Sequence, residues 1–220
     1  MALSKSFEFI VKKHGAPENS APLSKERALE LRKLLPHSIV DYWLEYGFGV
    51  VAGGRFCFCD PDDYRSVLAL LFKEDKDFNH KEFHIYGYSA FGELYIWRKY
   101  YNYSKIDIIE LIISARQYLH RDTIADPDIS IGVSLSSLER IDEYDQNGKK
   151  LFDRALKKLG MLEPGEVYGF SLAPALGGIK SLDKLKKQPA LEHFSMLAQL
   201  DDLKLMDFSK FPAEFVRVIG

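Results

Sequence analysis

Residues 83–97 read Phe-His-Ile-Tyr-Gly-Tyr-Ser-Ala-Phe-Gly-Glu-Leu-Tyr-Ile-Trp. Two aromatic-rich runs, 83–88 and 92–97, are separated by Ser89-Ala90-Phe91. Runs of that length and composition, joined that tightly, predict two antiparallel strands. A fold built on such a pair must cover a broad aromatic sheet with something apolar. The rest of the chain supplies the cover as short helices placed irregularly between strands. Ser24 suits a helix N-cap, and Ala28, Leu31, Leu34 and Leu35 follow at helical spacing up to Pro36. Ile39, Val40, Trp43 and Leu44 repeat the pattern. Phe56-Cys57-Phe58-Cys59 reads as a strand, and Asp60-Pro61 then opens a helix with Tyr64, Val67, Leu68, Leu71 and Phe72 on one face. Without a regular strand–helix–strand period, the expected class is α+β, with mixed or antiparallel sheets packed against helices.

Later segments carry weaker periodicity. The apolar face of residues 106–119 predicts mostly helix, and 129–135 predicts a strand. Leu151, Phe152, Ala155, Leu156 and Leu159 line a helix that ends at Gly160. Residues 166–170 read as a strand. Pro189 opens a helix with Leu191, Phe194, Leu197 and Ala198 inward. The expected layout is a first unit at 1–120, an acidic connector or shared layer at 121–148, and a smaller α+β unit at 149–220.

At 220 residues and 46% hydrophobic content, the chain has enough apolar surface to order itself. The net charge of −2 disfavours broad nucleic-acid binding. Lys184, Lys186 and Lys187 form one compact basic cluster, with the pairs Lys12-Lys13 and Lys149-Lys150 elsewhere, and on these a weak nucleic-acid-binding module stands as one alternative. No run of about 18 apolar residues is present, and the N-terminus does not read as a signal peptide. A cytoplasmic protein with reduced cysteines is expected. Cys57 and Cys59 are expected to diverge along their strand rather than form a mutual disulfide.

The known chemical signatures do not match. There is no P-loop, no dinucleotide-binding glycine motif, no nucleophile elbow and no zinc-protease helix motif. His80 and His84 with Cys57 and Cys59 would make a four-ligand metal set only if strand and helix converged, which is not expected. Asp60, Asp62 and Asp63 are explained by a helix N-terminus. A small-ligand pocket remains as an alternative, with Glu166 as a base beside Tyr168 and the turn at Gly177-Gly178. No cofactor and no metal are expected.

The most distinctive feature is acidic. Between Asp122 and Asp145 there are seven acids and one base, Arg140. Such a stretch can present an anionic surface to a basic partner.

Several segments together resemble a known family. Leu35-Pro36-His37-Ser38-Ile39-Val40-Asp41-Tyr42-Trp43-Leu44-Glu45-Tyr46-Gly47-Phe48-Gly49 resembles the leucine-proline, tryptophan and tyrosine-glycine-x-glycine segment of GAD-like domains. Phe58 to Tyr64 and Phe91 to Trp97 fit the same pattern. Leu151 to Gly160, Gly165 to Phe170, Pro174 to Gly178 and Leu191 to Leu200 are similar to the domain that commonly follows. The arrangement is similar to type VI secretion immunity proteins that neutralise DNase effectors, and lone segments to the broader Smi1/Knr4-like immunity superfamily. The resemblance implies a cytoplasmic, non-enzymatic inhibitor that protects the producing bacterium by binding a cognate nuclease. It carries no catalytic residues. For the contact surface, the acidic residues Glu139, Asp142, Glu143 and Asp145 are the first candidates. Tyr100, Tyr101 and Tyr103 are candidate aromatic anchors.

Overall fold

The two aromatic runs form the middle of a nine-stranded mixed sheet in the computed structural model, which describes residues 3–123 and 125–220. In chain order the elements are α1 (Lys5–His14), β1 (Glu18–Ala21), α2 (Lys25–Leu31), α3 (His37–Tyr46), β2 (Phe48–Val51), β3 (Phe56–Phe58), α4 (Arg65–Phe72), β4 (His84–Ser89), β5 (Glu93–Arg98), β6 (Asn102–Asp107) and β7 (Ile112–Ser114). There follow α5 (Arg116–Leu119), α6 (Pro127–Ser134), α7 (Phe152–Leu159), β8 (Glu166–Phe170), β9 (Leu185–Pro189), α8 (Ala190–Leu197), β10 (Leu203–Asp207) and β11 (Glu214–Ile219).

Strands β1 to β7 run as one antiparallel meander. β10 then joins β7 in parallel, and β11 pairs with β10 at the edge. β8 and β9 make a separate hairpin. The fold is α+β, as expected.

The pleat sends alternate side chains to opposite faces. On one face Leu94, Ile96, Ile106, Ile113, Leu203 and Leu205 share a buried cluster with Leu68 and Leu71 of α4, Phe152 and Ala155 of α7, and Phe194 and Leu197 of α8. On the other face Phe56, Phe58, Tyr86, Tyr95 and Trp97 pack under Phe7 and Ile10 of α1, Leu31 of α2, Ile39 and Trp43 of α3, and Ile131 of α6. The last third of the chain thus contributes both to the main sheet and to its first core. A backbone bond from the Tyr168 N–H to the Ala90 carbonyl, 2.8 Å, ties β8 to the β4–β5 joint.

Local signals account for many boundaries. The Ser24 hydroxyl accepts the Arg27 N–H at 3.1 Å and opens α2. Asp60 accepts the Asp62 N–H at 3.0 Å, and Pro61 occupies the first position of the turn leading into α4.

Four expectations are corrected. Residues 106–119 are not mainly helical: they finish β6, turn, form β7 and end in the one-turn α5. Pairing with β5 on one side and β10 on the other outweighs the helical spacing. Residues 129–135 are not a strand but lie largely in α6, because Asp126 accepts the N–H groups of Asp128 and Ile129 with Pro127 at the first helical position. Leu191 lies on the outer side of α8 and is exposed, while Phe194, Leu197 and Ala198 are buried. Cys57 and Cys59 do not diverge. Two residues apart they face the same side, and both are buried, free thiols in the first core.

Among the described residues no helix is long and apolar enough to cross a membrane.

Candidate functional site

The helical cover stops partway across the second face of the sheet. Register pairing places Glu93 of β5 opposite Asp107 of β6, which lies opposite Ile112 of β7. Tyr95, Lys105 and Ser114 form the next row. Beyond them β10 and β11 continue the face with Lys204, Met206, Phe215 and Val218. Tyr95 is buried under the helices, but on β6, β7 and β10 the side chains from Lys105 outward are partly exposed and alternate with buried residues of the first core, and on β11 Phe215 and Val218 are exposed.

The uncovered strip is a trough. A cavity of about 360 Å³ lies where Glu93, Tyr95, Lys105 and Asp107 meet a wall built from Ser134, Ser137, Arg140, Ile141, Asp142 and Glu143. A second cavity of about 440 Å³ shares Glu93, Lys105 and Asp107 and extends to Ile112, Ser114 and Phe208. The shared residues make the two one continuous depression with a charged end and a more apolar end.

The floor is ordered by polar contacts. The Lys105 ammonium donates to the Tyr95 hydroxyl at 2.9 Å and to Glu93 Oε2 at 3.3 Å, and lies 4.3 Å from the Tyr95 ring centre. Asp107 Oδ1 accepts the N–H groups of Ile109 and Glu110 at 3.0 and 3.1 Å, which fixes the β6–β7 turn. Burial raises the Asp107 carboxyl above the usual range, helped by the negative charges of Glu143 and Glu110 and opposed by the Glu110 N–H and by Lys180. Burial also works against the charge of Lys180, but its pairs with Glu110 and Glu143 outweigh that and raise its pKa.

The acidic candidates separate by position. Asp142 and Glu143 line the trough. Asp142 Oδ1 accepts the N–H groups of Leu151 and Phe152 at the start of α7, and Oδ2 lies 3.4 Å from Arg55. Glu143 lies 3.3 Å from Lys180. Glu139 is exposed outside the trough and pairs with Lys13 at 2.7 Å. Asp145 is buried. Its pairing with Arg154 at 2.6 Å, with the Lys149 and Asn147 N–H groups, holds its carboxyl down at about 2.

The tyrosines sit toward the far end of β6: at about 3.3 Å per residue, Tyr100 and Tyr101 lie roughly 20 Å along the chain from Asp107 and Tyr103 about 13 Å. Tyr100 is 72% exposed at the β5–β6 hairpin tip. Tyr101 has the Arg98 guanidinium over its ring at 4.3 Å and meets Tyr118 edge to face. Tyr103 is partly buried against the second core. Glu93, Lys105 and Asp107 escaped sequence reasoning. Their signal was the alternation Tyr103-x-Lys105-x-Asp107, hidden once the adjoining 106–119 segment was assigned to a helix.

The rival site does not assemble. Glu166 accepts the Glu163 N–H at 2.9 Å and pairs with Lys187. The cavity beside it is lined by Val50, Cys57, Tyr88 and Leu162, not by Gly177, and leaves no room for a water molecule. Burial raises the thiols of Cys57 and Cys59, so neither is poised as a nucleophile. His84 meets Arg65 at 3.5 Å, and among the described residues no group of three or more metal-ligating side chains converges.

The GAD-like domain family matches residues 5–111. The C-terminal domain of the type VI secretion immunity protein Tdi1 matches residues 135–201. The crystal structure of Atu4351 from Agrobacterium tumefaciens superposes with a TM-score of 0.92 at 31% sequence identity, covering 97% of this chain and 98% of that one. No curated protein matches in sequence. The chain belongs to the family in which a GAD-like domain is followed by the C-terminal domain of the type VI secretion immunity protein Tdi1.

Proposed function

We propose that this protein is a non-enzymatic immunity protein that neutralises a cognate type VI effector, a nuclease, by one-to-one non-covalent binding in the cytoplasm of the producing cell. The observation that carries the reading is the match of residues 135–201 to the Tdi1 C-terminal domain. That segment also supplies the trough wall from Ser137 to Glu143.

The charge of the trough supports a nuclease as partner. Its lining holds four carboxylates, Glu93, Asp107, Asp142 and Glu143, against Lys105 and Arg140. Nuclease clefts are basic because they hold phosphates. Complementary charge speeds such an encounter and excludes wrong partners. Asp142 and Glu143 form the acidic wall of the docking face, Glu139 extends it outside, and Asp145 supports the loop that carries it. Tyr100 is the exposed aromatic anchor at the other end of β6, with Tyr101 and Tyr103 holding that hairpin in place.

The test is co-expression with the type VI nuclease effectors of the producing bacterium, each in turn, followed by pull-down. Survival of the host with a stable complex for one of them is the expected result. Cell death with no complex for every one of them, at matched expression, overturns the reading.

A further inference from the structure

Glu93 and Asp107 stand directly opposite each other on β5 and β6. Side chains so paired have Cβ atoms roughly 4.5–5.5 Å apart, and like charges there repel. Three of the four trough carboxylates have a cation. Glu93 has Lys105, Asp142 has Arg55, and Glu143 has Lys180. Among the described residues no salt bridge reaches Asp107: Lys180 attracts it only from a distance, and its Oδ1 accepts the backbone N–H groups of its own turn. A partly buried carboxylate with no cation in contact is less well compensated than its neighbours, and a cation delivered by a partner relieves it.

Space for that cation is present. The cavity above Asp107, about 360 Å³, falls at the lower end of the range for ligand sites, roughly 300–1,000 Å³. Ile112 and Phe208 border the adjoining depression and offer an apolar path for an aliphatic stem.

We propose that the trough is the seat of one arginine side chain of the bound toxin, with its guanidinium between Asp107 and Glu93. The inference rests on the toxin-binding reading above. A planar guanidinium presents donors to two carboxylates at once, whereas an ammonium is a single compact charge. The occupant is therefore arginine in preference to lysine.

The test uses the full chain and the nuclease effector that co-purifies with it, inactivated in its catalytic residues. Asp107→Asn keeps the oxygen that accepts from Ile109 and Glu110, so the turn is preserved. The expected result is a loss of affinity of about tenfold or more for Asp107→Asn, and a smaller loss for Glu93→Gln. Glu110→Gln, which removes the same charge just outside the trough, should change affinity less than twofold. In parallel, N-methylguanidinium chloride should shift the Asp107 side-chain carboxyl signal saturably in NMR spectra, and methylammonium chloride at equal ionic strength should shift it less. If the wild type binds the nuclease and Asp107→Asn binds equally well, the arginine seat is overturned while the immunity reading stands. Equal losses for Asp107→Asn and Glu110→Gln overturn it too, since net charge alone would explain them. A wild type with which no nuclease effector co-purifies overturns the immunity reading itself.

Discussion

Asp142 caps a helix that begins ten residues after it: its Oδ1 accepts the N–H of Phe152 at 2.9 Å. Arg55 completes the arrangement. Its guanidinium lies 3.4 Å from Asp142 Oδ2 and stacks 3.9 Å from the centre of the Phe152 ring. Arg55 follows the second strand of the GAD-like region, whereas Asp142 and Phe152 belong to the Tdi1-like segment. One carboxylate therefore fixes the wall of the trough, the start of α7 and the junction between the two regions.

Replacing Asp142 should show this directly. Asp142→Ala removes the acceptor for two helix N–H groups and leaves Arg55 without one partner, at a cost of about 2–3 kcal/mol. Asp142→Asn should cost about 1 kcal/mol. Glu139→Ala, on the exposed pair with Lys13, should change stability by less than about 0.5 kcal/mol. Urea denaturation measures all three, and an Asp142→Ala midpoint equal to that of the wild type would contradict the capping role.

The centre of the sheet has no spare volume at Gly87. A Cβ there would lie 2.3 Å from the Phe56 ring and 2.8 Å from the Cys57 carbonyl oxygen. Gly87→Ala should therefore destabilise the protein by about 1–3 kcal/mol through overpacking. Thermal unfolding monitored by circular dichroism reads this as a lower midpoint.

Acid should weaken the fold through His84. Burial, followed by the neighbouring Arg65 charge, lowers its pKa from 6.5 to about 4, with Asp62 opposing. The unfolded chain therefore binds the proton more readily. The stabilisation is complete above pH 6.5 and is lost as pH falls from 6.5 toward 4, on the order of 3 kcal/mol in total. His84→Gln should flatten stability between pH 7 and pH 4.5. Chemical denaturation at those two pH values checks it, and an equally steep loss in the variant would remove His84 as the cause.

Tyr100 separates binding from folding. Its side chain is exposed at the hairpin tip, so Tyr100→Ala should leave stability within about 0.5 kcal/mol. As an anchor of the docking face it should nonetheless lower affinity for the nuclease about tenfold or more. Calorimetric titration and a thermal melt on the same sample distinguish the two effects, and unchanged affinity removes the hairpin tip from the interface.

The sheet centre was legible because its signals are local and redundant. Aromatic runs, Asp60-Pro61 and the Ser24 cap each agree with the elements around them. Segment 106–119 was not legible, since its isoleucines satisfy a helical face as well as two short strands, and only pairing with β5 and β10 decides between them. In α6 the sequence does carry the answer. Asp126-Pro127 repeats the Asp60-Pro61 signal, yet the alternating Ile129, Ile131 and Val133 favour a strand by propensity. Close packing overrides that propensity: a Cβ on Gly132 would come 2.4 Å from Ser6 of α1, so the helix approaches α1 backbone-first. The trough is a long-range property. Glu93, Lys105 and Asp107 become one surface only through strand register, and residues 134–143 become its wall only through the packing of α6.

The central claim is stoichiometric neutralisation, and a titration of nuclease activity tests it most directly. Purified protein is added in steps to a fixed amount of the cognate nuclease effector cutting plasmid DNA. The account predicts that cleavage falls linearly and stops at one equivalent. Undiminished cleavage at a tenfold molar excess would contradict it.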